Sequence, residues 1–146
     1  MDTWRQILVA VDLSADSERV VQKALDVAKR YGGSVQLLHV VEYVPVEPMG
    51  EALLPSMQIE EELLRGAQLR LDRLAEQFGI GAEARILRSG STKVEILRAA
   101  REAGVDLIVL GSRERHGLAI ILNLTEDTVL HAAPCDVLAV RLPGSS

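Results

Sequence analysis

Cysteine is almost absent from this sequence of 146 residues, because Cys135 is its only one. A single cysteine cannot form a disulfide within the chain, so the sequence predicts a fold that is stable without one, in a reducing compartment. No apolar run approaches the roughly 20 residues that a membrane-spanning helix needs, and the N-terminus has no basic segment followed by a long apolar one. We therefore predict a soluble cytoplasmic protein with no membrane partner.

Aromatic residues and an excess of positive charge are also missing. Only 3% of the residues are aromatic whereas 48% are hydrophobic, which favours an α/β core of leucine and β-branched side chains. The 16 basic residues are outnumbered by 21 acidic ones, for a net charge of −5. Proteins that hold nucleic acid by bulk electrostatics need a basic face, so no nucleic-acid partner is predicted. Residues 1–146 are predicted to form a single domain.

Short apolar runs alternate with helical patterns along the chain. The runs are compact and rich in valine, leucine and isoleucine, whereas the helical segments repeat apolar residues at three- and four-residue spacing. Three prolines and a glycine within residues 42–55 predict a long loop. The predicted strands are 5–11, 35–41, 83–87, 107–111 and 136–142, and the apolar residues of the predicted helices lie within 20–31, 59–78, 94–103 and 118–133.

This alternation predicts the fold class. Strands followed by helices, repeated along the chain, give an α/β, doubly wound, Rossmann-like parallel sheet of five strands with four helices. The third strand alternates apolar and polar residues and is expected at an edge of the sheet. Helical spacing predicts that Ile59 and Leu63 of the second helix, and Val94 and Ala103 of the third, face the core.

The most distinctive stretch is Asp106–Gly117, DLIVLGSRERHG. Its apolar residues run into Gly111 and then into a polar loop, as expected where a buried parallel strand ends. Asp12 and Ser14 follow the other strongly apolar run in the same way. Open parallel sheets bind ligands beyond the carboxyl ends of their strands, so we expect the ligand site near these residues.

Four segments together carry a family resemblance. They are ILVAVDLS at 7–14, HVV at 39–41, DLIVLGSRERHG at 106–117 and VLHAAPCDVLAVR at 129–141. Their order and separation resemble the universal stress protein A family over nearly the whole chain. The resemblance implies a sheet of order 3-2-1-4-5, a role in stress response, a homodimer formed through the last strand and, in part of the family, bound ATP or AMP.

The last loop matches the family pattern only in part. In nucleotide-binding members, the last loop resembles a pattern of a glycine, two residues, a second glycine, eight or nine residues, and then glycine followed by serine or threonine. Gly111 keeps the first glycine, but the second falls on Glu114, and the closing pair falls on Asn123 and Leu124 or, in the other alignment, on Leu124 and Thr125. A carboxylate repels phosphate and leucine supplies no hydroxyl, so weakened phosphate binding is expected.

By the same resemblance, the adenosine half of the site is better preserved. Asp12 would hold the ribose or the adenine edge, and the backbone of Ala10 and Val40 would meet the adenine. Asp12 is equally well interpreted as a helix cap, and the neighbouring strand residues belong in the core with or without a ligand. The nucleotide-binding residues that the resemblance implies are Ala10, Asp12, Val40, Leu110, Gly111, Arg113, Arg115, His116, Gly117, Asn123, Leu124 and Thr125.

The terminal strand supplies the predicted dimer interface. An apolar strand at the edge of a sheet invites uncontrolled pairing unless something covers it. The resemblance implies that the same strand of a second subunit does so across a two-fold axis. In the alternative interpretation, residues 143–146 or a helix protect the edge of a monomer. The interface residues implied are Val137, Leu138, Ala139, Val140, Arg141 and Leu142.

Catalytic and metal-binding patterns are lacking. His39, His116 and His131 do not have the spacing of metal ligands, and Ser14 has no histidine partner that the sequence reveals. We therefore predict no metal site, no catalytic residue and no enzymatic activity. The predicted function is a regulatory homodimer that binds AMP or ATP weakly, with Mg²⁺ only if ATP binds. The alternative is a dimer that binds no nucleotide and acts through protein partners.

Overall fold

The computed structural model describes residues 3–42, 53–113 and 124–143. All strand pairings in its five-stranded sheet are parallel, and the order is β3-β2-β1-β4-β5. Both the order and the predicted fold class are confirmed. The elements are β1 Gln6–Val11, α1 Ser17–Tyr31, β2 Ser34–Val41, α2 Leu53–Gln77, β3 Arg85–Ser89, α3 Thr92–Ala103, β4 Leu107–Arg113, α4 Leu124–Ala132 and β5 Asp136–Leu142.

Each face of the sheet carries its own core cluster. Side chains alternate across a strand, so Val9 and Leu37 pack under α1 and α2, whereas Leu8 and Leu38 pack under α3 and α4. All four side chains are almost fully buried. The central strands are apolar on both faces because helices cover both, which makes the sheet doubly wound. Among the helices of the described residues, none is long and apolar enough to cross a membrane.

Several predicted boundaries were wrong, those of the first two strands by a single residue. The loop predicted to reach Pro55 ends earlier, because α2 begins at Leu53 and proline is tolerated in a first turn, where N–H groups have no helical partner. The third strand spans Arg85–Ser89 rather than residues 83–87, and it starts later because Ala82–Ala84 form a 3-10 turn. Strand β4 continues past Gly111 to Arg113, so the predicted polar loop starts later.

Two predicted helix faces also need correction. Ile59 and Leu63 are 51% and 45% exposed, although they share a stripe with the buried residues of α2. The Glu60 carboxylate accepts a bond of 3.3 Å from Ser89, the last residue of β3, so this part of α2 has reached the carboxyl end of the sheet and has little beneath it. On α3, Val94 is 44% exposed and Ala103 is exposed. The buried face of α3 is centred on residues 96–100, almost opposite Val94.

Candidate functional site

The two central strands of the sheet separate at their carboxyl ends. Strands β1 and β4 are paired only as far as Val9 and Val109. Beyond that point β1 stays paired with β2 up to Val11, and β4 stays paired with β5 up to Arg113. The order of the sheet reverses between β1 and β4, and a crevice at such a switch point is where open α/β sheets bind ligands.

Several of the predicted nucleotide-binding residues meet around this crevice. Ala10 and Asp12 come from the end of β1, and Leu110 and Gly111 from the end of β4. Val40 of β2 and Leu110 are buried in the cluster beneath α3 and α4, and Ala10 packs against that cluster. The wall of the crevice on this face is therefore apolar.

The remaining predicted residues cannot be placed around the crevice in the same detail. The backbone of Arg113 ends β4, and Leu124 and Thr125 begin α4. The structure describes no side chain at these three positions. Arg115, His116, Gly117 and Asn123, like the divergent Glu114, lie outside the described residues.

Asp12 organises the turn between β1 and α1. Its Oδ1 atom accepts the backbone N–H of Ser14 at 2.9 Å and the hydroxyl of Ser17 at 3.2 Å. The helix itself has Asp16 at its N-cap position, where the side chain makes no capping bond. Asp12 thus stabilises the start of α1 from four residues before the N-cap position, while it remains exposed beside the crevice.

This turn is held in an unusual conformation. Leu13 has φ = 62°, and it is the only residue other than glycine with positive φ in the described part of the chain. A left-handed conformation costs a residue with a Cβ atom about 1–2 kcal/mol, so the surrounding contacts must enforce it. The hydroxyl oxygen of Ser14 is buried there without a hydrogen-bond partner among the described residues.

Gly111 has a packing role that the sequence did not reveal. A Cβ atom at this position would lie 2.6 Å from Cδ1 of Leu142 and 3.3 Å from Cγ2 of Val20. A larger residue would therefore require the Leu142 side chain to move and Val20 to give way by a few tenths of an ångström. The contact lies on the α1 face of β4, so close packing in the core is one reason for a glycine here, whether or not a phosphate approaches it.

A contact that the sequence analysis missed joins β2 to the end of β1. Nδ1 of His39 lies 2.8 Å from the carbonyl oxygen of Val11. Burial lowers the pKa of His39 from its ordinary value, and nearby Arg70 acts in the same direction against the raising effects of this hydrogen bond and of Asp12. Only the pairing of β1 with β2 brings these residues level, so no local pattern could have revealed the contact.

Within residues 3–42, 53–113 and 124–143, no group of three or more histidine, cysteine, aspartate or glutamate residues could hold a metal ion.

The predicted dimer strand forms one wall of a groove. The groove runs between α1 and β5 and has a volume of about 510 Å³. Val140 and Leu142 are buried against the core, Val137 and Leu138 are half-buried, and Ala139 and Arg141 are exposed. The residues that line the groove are Arg19, Gln22, Lys23, Asp26, Leu138, Ala139, Val140 and Arg141.

Comparison with known proteins gives the family. The protein-family model described as "Universal stress protein family" matches residues 3–141. The chain belongs to this family. Universal stress protein A homolog 2 of Coxiella burnetii is 38% identical over 146 residues, which cover 99% of this chain and 100% of that protein. Homolog 1 of the same organism is 33% identical and covers 94% and 96%, respectively.

Solved structures of universal stress proteins share the fold. UspA from Lactobacillus plantarum superposes with a TM-score of 0.71 at 25% identity, covering 95% of this chain and 99% of that one. A universal stress protein solved in complex with cAMP gives a TM-score of 0.57 at 20% identity, covering 94% and 97%.

Proposed function

We propose that this universal stress protein is a regulatory protein of the cytoplasm that binds an adenine nucleotide weakly in the crevice between β1 and β4. The observation that carries the proposal is the early end of β1–β4 pairing at Val9 and Val109. It leaves an opening at the switch point of the sheet, where this architecture binds ligands. The solved relative in complex with cAMP supports an adenine nucleotide as the class of ligand.

The described residues suit the adenosine part of such a ligand. Ala10, Val40 and Leu110 offer apolar surface for a base, and the exposed Asp12 carboxylate stands at the same end of the sheet. Carboxylates accept hydrogen bonds only, which matches ribose hydroxyls and the adenine amino group, both of them donors. We assign Asp12 this role, together with its contacts to Ser14 and Ser17.

The phosphate part suits a short ligand better than a long one. Glu114 adds negative charge to the segment after β4, and in the alignment that puts the closing pair at Asn123 and Leu124, Leu124 replaces the hydroxyl of the family pattern. Each further phosphate adds repulsion from a nearby carboxylate. We therefore propose AMP rather than ATP as the preferred nucleotide, with binding rather than turnover as the activity.

A second candidate function is a dimer that binds no nucleotide and acts through protein partners. The contact between Gly111 and Leu142 favours it, because the one glycine retained from the family's loop pattern has a reason in the core. In this case the crevice is a feature of the fold without a ligand. Both candidates share the proposed homodimer, formed through the edge of β5.

Calorimetric titration with AMP, and with ATP plus Mg²⁺, tests the proposal. We expect AMP to bind more tightly than ATP. Replacing Glu114→Gly, Asn123→Gly and Leu124→Ser together is expected to raise ATP affinity at least about tenfold, or 1.4 kcal/mol, because the carboxylate is removed and a hydroxyl is gained. Glu76→Gln, which removes a charge from the exposed end of α2, is the control and leaves the affinity unchanged.

Two results would contradict the nucleotide proposal. Submicromolar ATP binding by the unmodified protein would show that its phosphate site is intact. Absence of binding and of any thermal shift with millimolar AMP and ATP would favour the second candidate, since a ligand at 100 times its Kd stabilises a protein by about 2.7 kcal/mol.

A further inference from the structure

We propose that His39 is a positioning residue for the Asp12 turn, which it holds in place through the carbonyl group of Val11. The inference deepens the proposed function, on which its ligand-binding part rests. Its structural part concerns only the conformation of residues 11–14. The proposal rests on the bond between His39 and Val11, on the side of the sheet on which this bond lies, and on the conformation of Leu13.

The bond fixes the last residue of β1. Val11 and His39 are level with each other in the β1–β2 pairing, and Nδ1 of the ring is 2.8 Å from the carbonyl oxygen of Val11. Strand β4 does not pair with β1 at this level, since that pairing stops at Val9. At this level the backbone of Val11 therefore pairs with β2 and not with β4, and the His39 side chain provides a contact beyond the backbone ladder.

The bond also assigns the proton of the imidazole ring. A carbonyl oxygen only accepts hydrogen bonds, so Nδ1 must carry the hydrogen and donate it. Burial lowers the pKa of His39, so the ring is neutral at pH 7 and Nε2 carries no proton. A neutral ring with the proton on Nδ1 is thus the form that holds the turn.

The His39 side chain lies on the opposite face of the sheet from the apolar wall of the crevice. Alternation along β2 puts its side chain on the same face as Leu37, beneath α1 and α2, whereas Val40 lies on the face beneath α3 and α4. Ala10 and Leu110 belong to that second face. The ring is therefore separated by the sheet from the apolar wall proposed for the base, and its effect on a ligand must pass through the backbone.

The turn needs such a tether. Leu13 is left-handed, and this strained conformation persists only where its surroundings enforce it. On the helix side, Asp12 bonds to Ser14 and Ser17. On the strand side, the His39 ring holds the residue just before Asp12. Loss of this second attachment is expected to let the carboxylate move away from its binding position.

A pair of variants of nearly equal size separates the hydrogen bond from the volume of the ring. In His39→Asn, the side-chain amide nitrogen Nδ2 is bonded to Cγ, as Nδ1 is in histidine. It can therefore donate a hydrogen bond to the carbonyl oxygen of Val11. In His39→Leu, the shape is similar and the donor is lost. Gln36→Leu, a half-buried position on the other face of β2, is the control for a general effect of a leucine in this strand.

Two measurements are made on each variant. Nitrogen-15 spectra of the ring and of the backbone amides of residues 12–14 report the tautomer and the turn without any ligand, and titration with AMP reports binding. We expect the proton on Nδ1, shifted turn amides in His39→Leu only, and AMP affinity about five- to tenfold weaker in that variant, the size of one net hydrogen bond. His39→Asn is expected to retain both properties.

The outcomes distinguish this inference from the proposed function. Unchanged turn amides in His39→Leu, equal effects of asparagine and leucine, or a proton on Nε2 would each overturn the role of His39. If the unmodified protein binds no AMP, the proposed function fails, and the amide spectra still decide whether His39 positions the turn.

Discussion

The two edge strands of the sheet, β3 and β5, differ in how they are protected from pairing with another strand. Strand β3 has five residues, all of them half-buried, including two arginines, Arg85 and Arg88. Strand β5 has seven residues, with four consecutive apolar ones at its centre, 137–140. A free edge presents unpaired backbone groups to any other strand, so an edge must be guarded or occupied. We infer that β3 is guarded by its arginines and that β5 can accept a partner strand.

On one face of β3, Arg85 closes the strand against α2. Its Nε and Nη2 atoms donate to the carbonyl oxygen of Ile80 at 3.0 and 2.7 Å, and Nη1 lies 3.2 Å from Oδ1 of Asp72. On the other face, Arg88 lies 2.6 Å from Oε2 of Glu102 and 3.7 Å from Oε1 of Glu95. A strand that paired with β3 would have to fit against these charges on both faces.

Strand β5 has no comparable charge at its centre. Asp136 and Arg141 stand at its two ends, and Asp136 accepts a hydrogen bond of 2.9 Å from Nε1 of Trp4. Leu138, Val140 and Leu142 pack with the α1 face of the core, and Val137 packs with the opposite face. If two copies pair through β5 across a two-fold axis perpendicular to the sheet, the α1 face of one copy continues into the α1 face of the other. Residues opposite each other in an antiparallel β5 pair must then both be even-numbered or both be odd-numbered.

This rule gives the prediction with the largest effect. The register that pairs all seven residues puts Ala139 opposite its own copy, and Ala139 is exposed in the single chain. We expect Ala139→Lys to weaken the dimer by about 3 kcal/mol, more than 100-fold, because two like charges face each other across the interface. Analytical ultracentrifugation measures the dissociation, and circular dichroism checks that the fold is retained.

Val94→Lys, at an exposed position on α3, is the matched control and leaves the dimer intact. Ala139→Cys in a Cys135→Ser background sharpens the test. Opposed residues of antiparallel strands are close enough for a disulfide, so position 139 is expected to cross-link to itself on oxidation, whereas a cysteine at 137 is not. An unmodified protein that is monomeric at micromolar concentration would exclude the β5 dimer.

The β3 edge gives the prediction of intermediate size. Arg85→Leu removes three contacts and leaves the carbonyl of Ile80 and the carboxylate of Asp72 without this partner. We expect unfolding to become easier by about 2 kcal/mol, the range of a hydrogen bond to a charged group, and the unguarded edge to promote association. Urea denaturation measures the first effect and light scattering the second. Arg73→Leu, at an exposed position on α2, is the control; equal losses in both variants would contradict a guarding role.

The smallest effect is expected at the outer ion pair of β3. The Glu102 side chain is 56% exposed, and exposed ion pairs contribute little because water and salt screen them. Glu102→Gln is therefore expected to change the stability by less than about 0.5 kcal/mol in thermal denaturation. A loss above 1 kcal/mol would mean that Arg88 depends on Glu102 rather than on the buried Glu95.

Most of the sheet could be predicted from the sequence, because central strands buried on both faces give continuous apolar runs. Strand β5 was predicted with its observed boundaries, and the strand order followed from the family resemblance. The helix faces at Ile59 and Val94 were wrong, since spacing gives a stripe but does not show where the sheet beneath it ends. The place of Asp12 after the end of β1 was predicted, and its role in binding stays a prediction.

The missed parts of the site depend on contacts across the fold. Gly111 meets Leu142, and His39 meets Val11, pairs that only the strand register brings together. Gly111 matches a loop pattern that is visible in the sequence, but its approach to Leu142 of β5 depends on the strand register. Such pairings become visible only when the sheet is assembled.

The hydrogen bond of Trp4 gives the protein an optical probe of its own. Trp4 is the only tryptophan in the chain, its ring lies 5.2 Å from that of Tyr31 at an interplanar angle of 57°, and its indole N–H is bound to the first residue of β5. Excitation of tryptophan fluorescence therefore selects a single site that touches β5. Emission wavelength and anisotropy can follow the start of β5 without any label, while the candidate nucleotide site lies at the opposite end of the sheet.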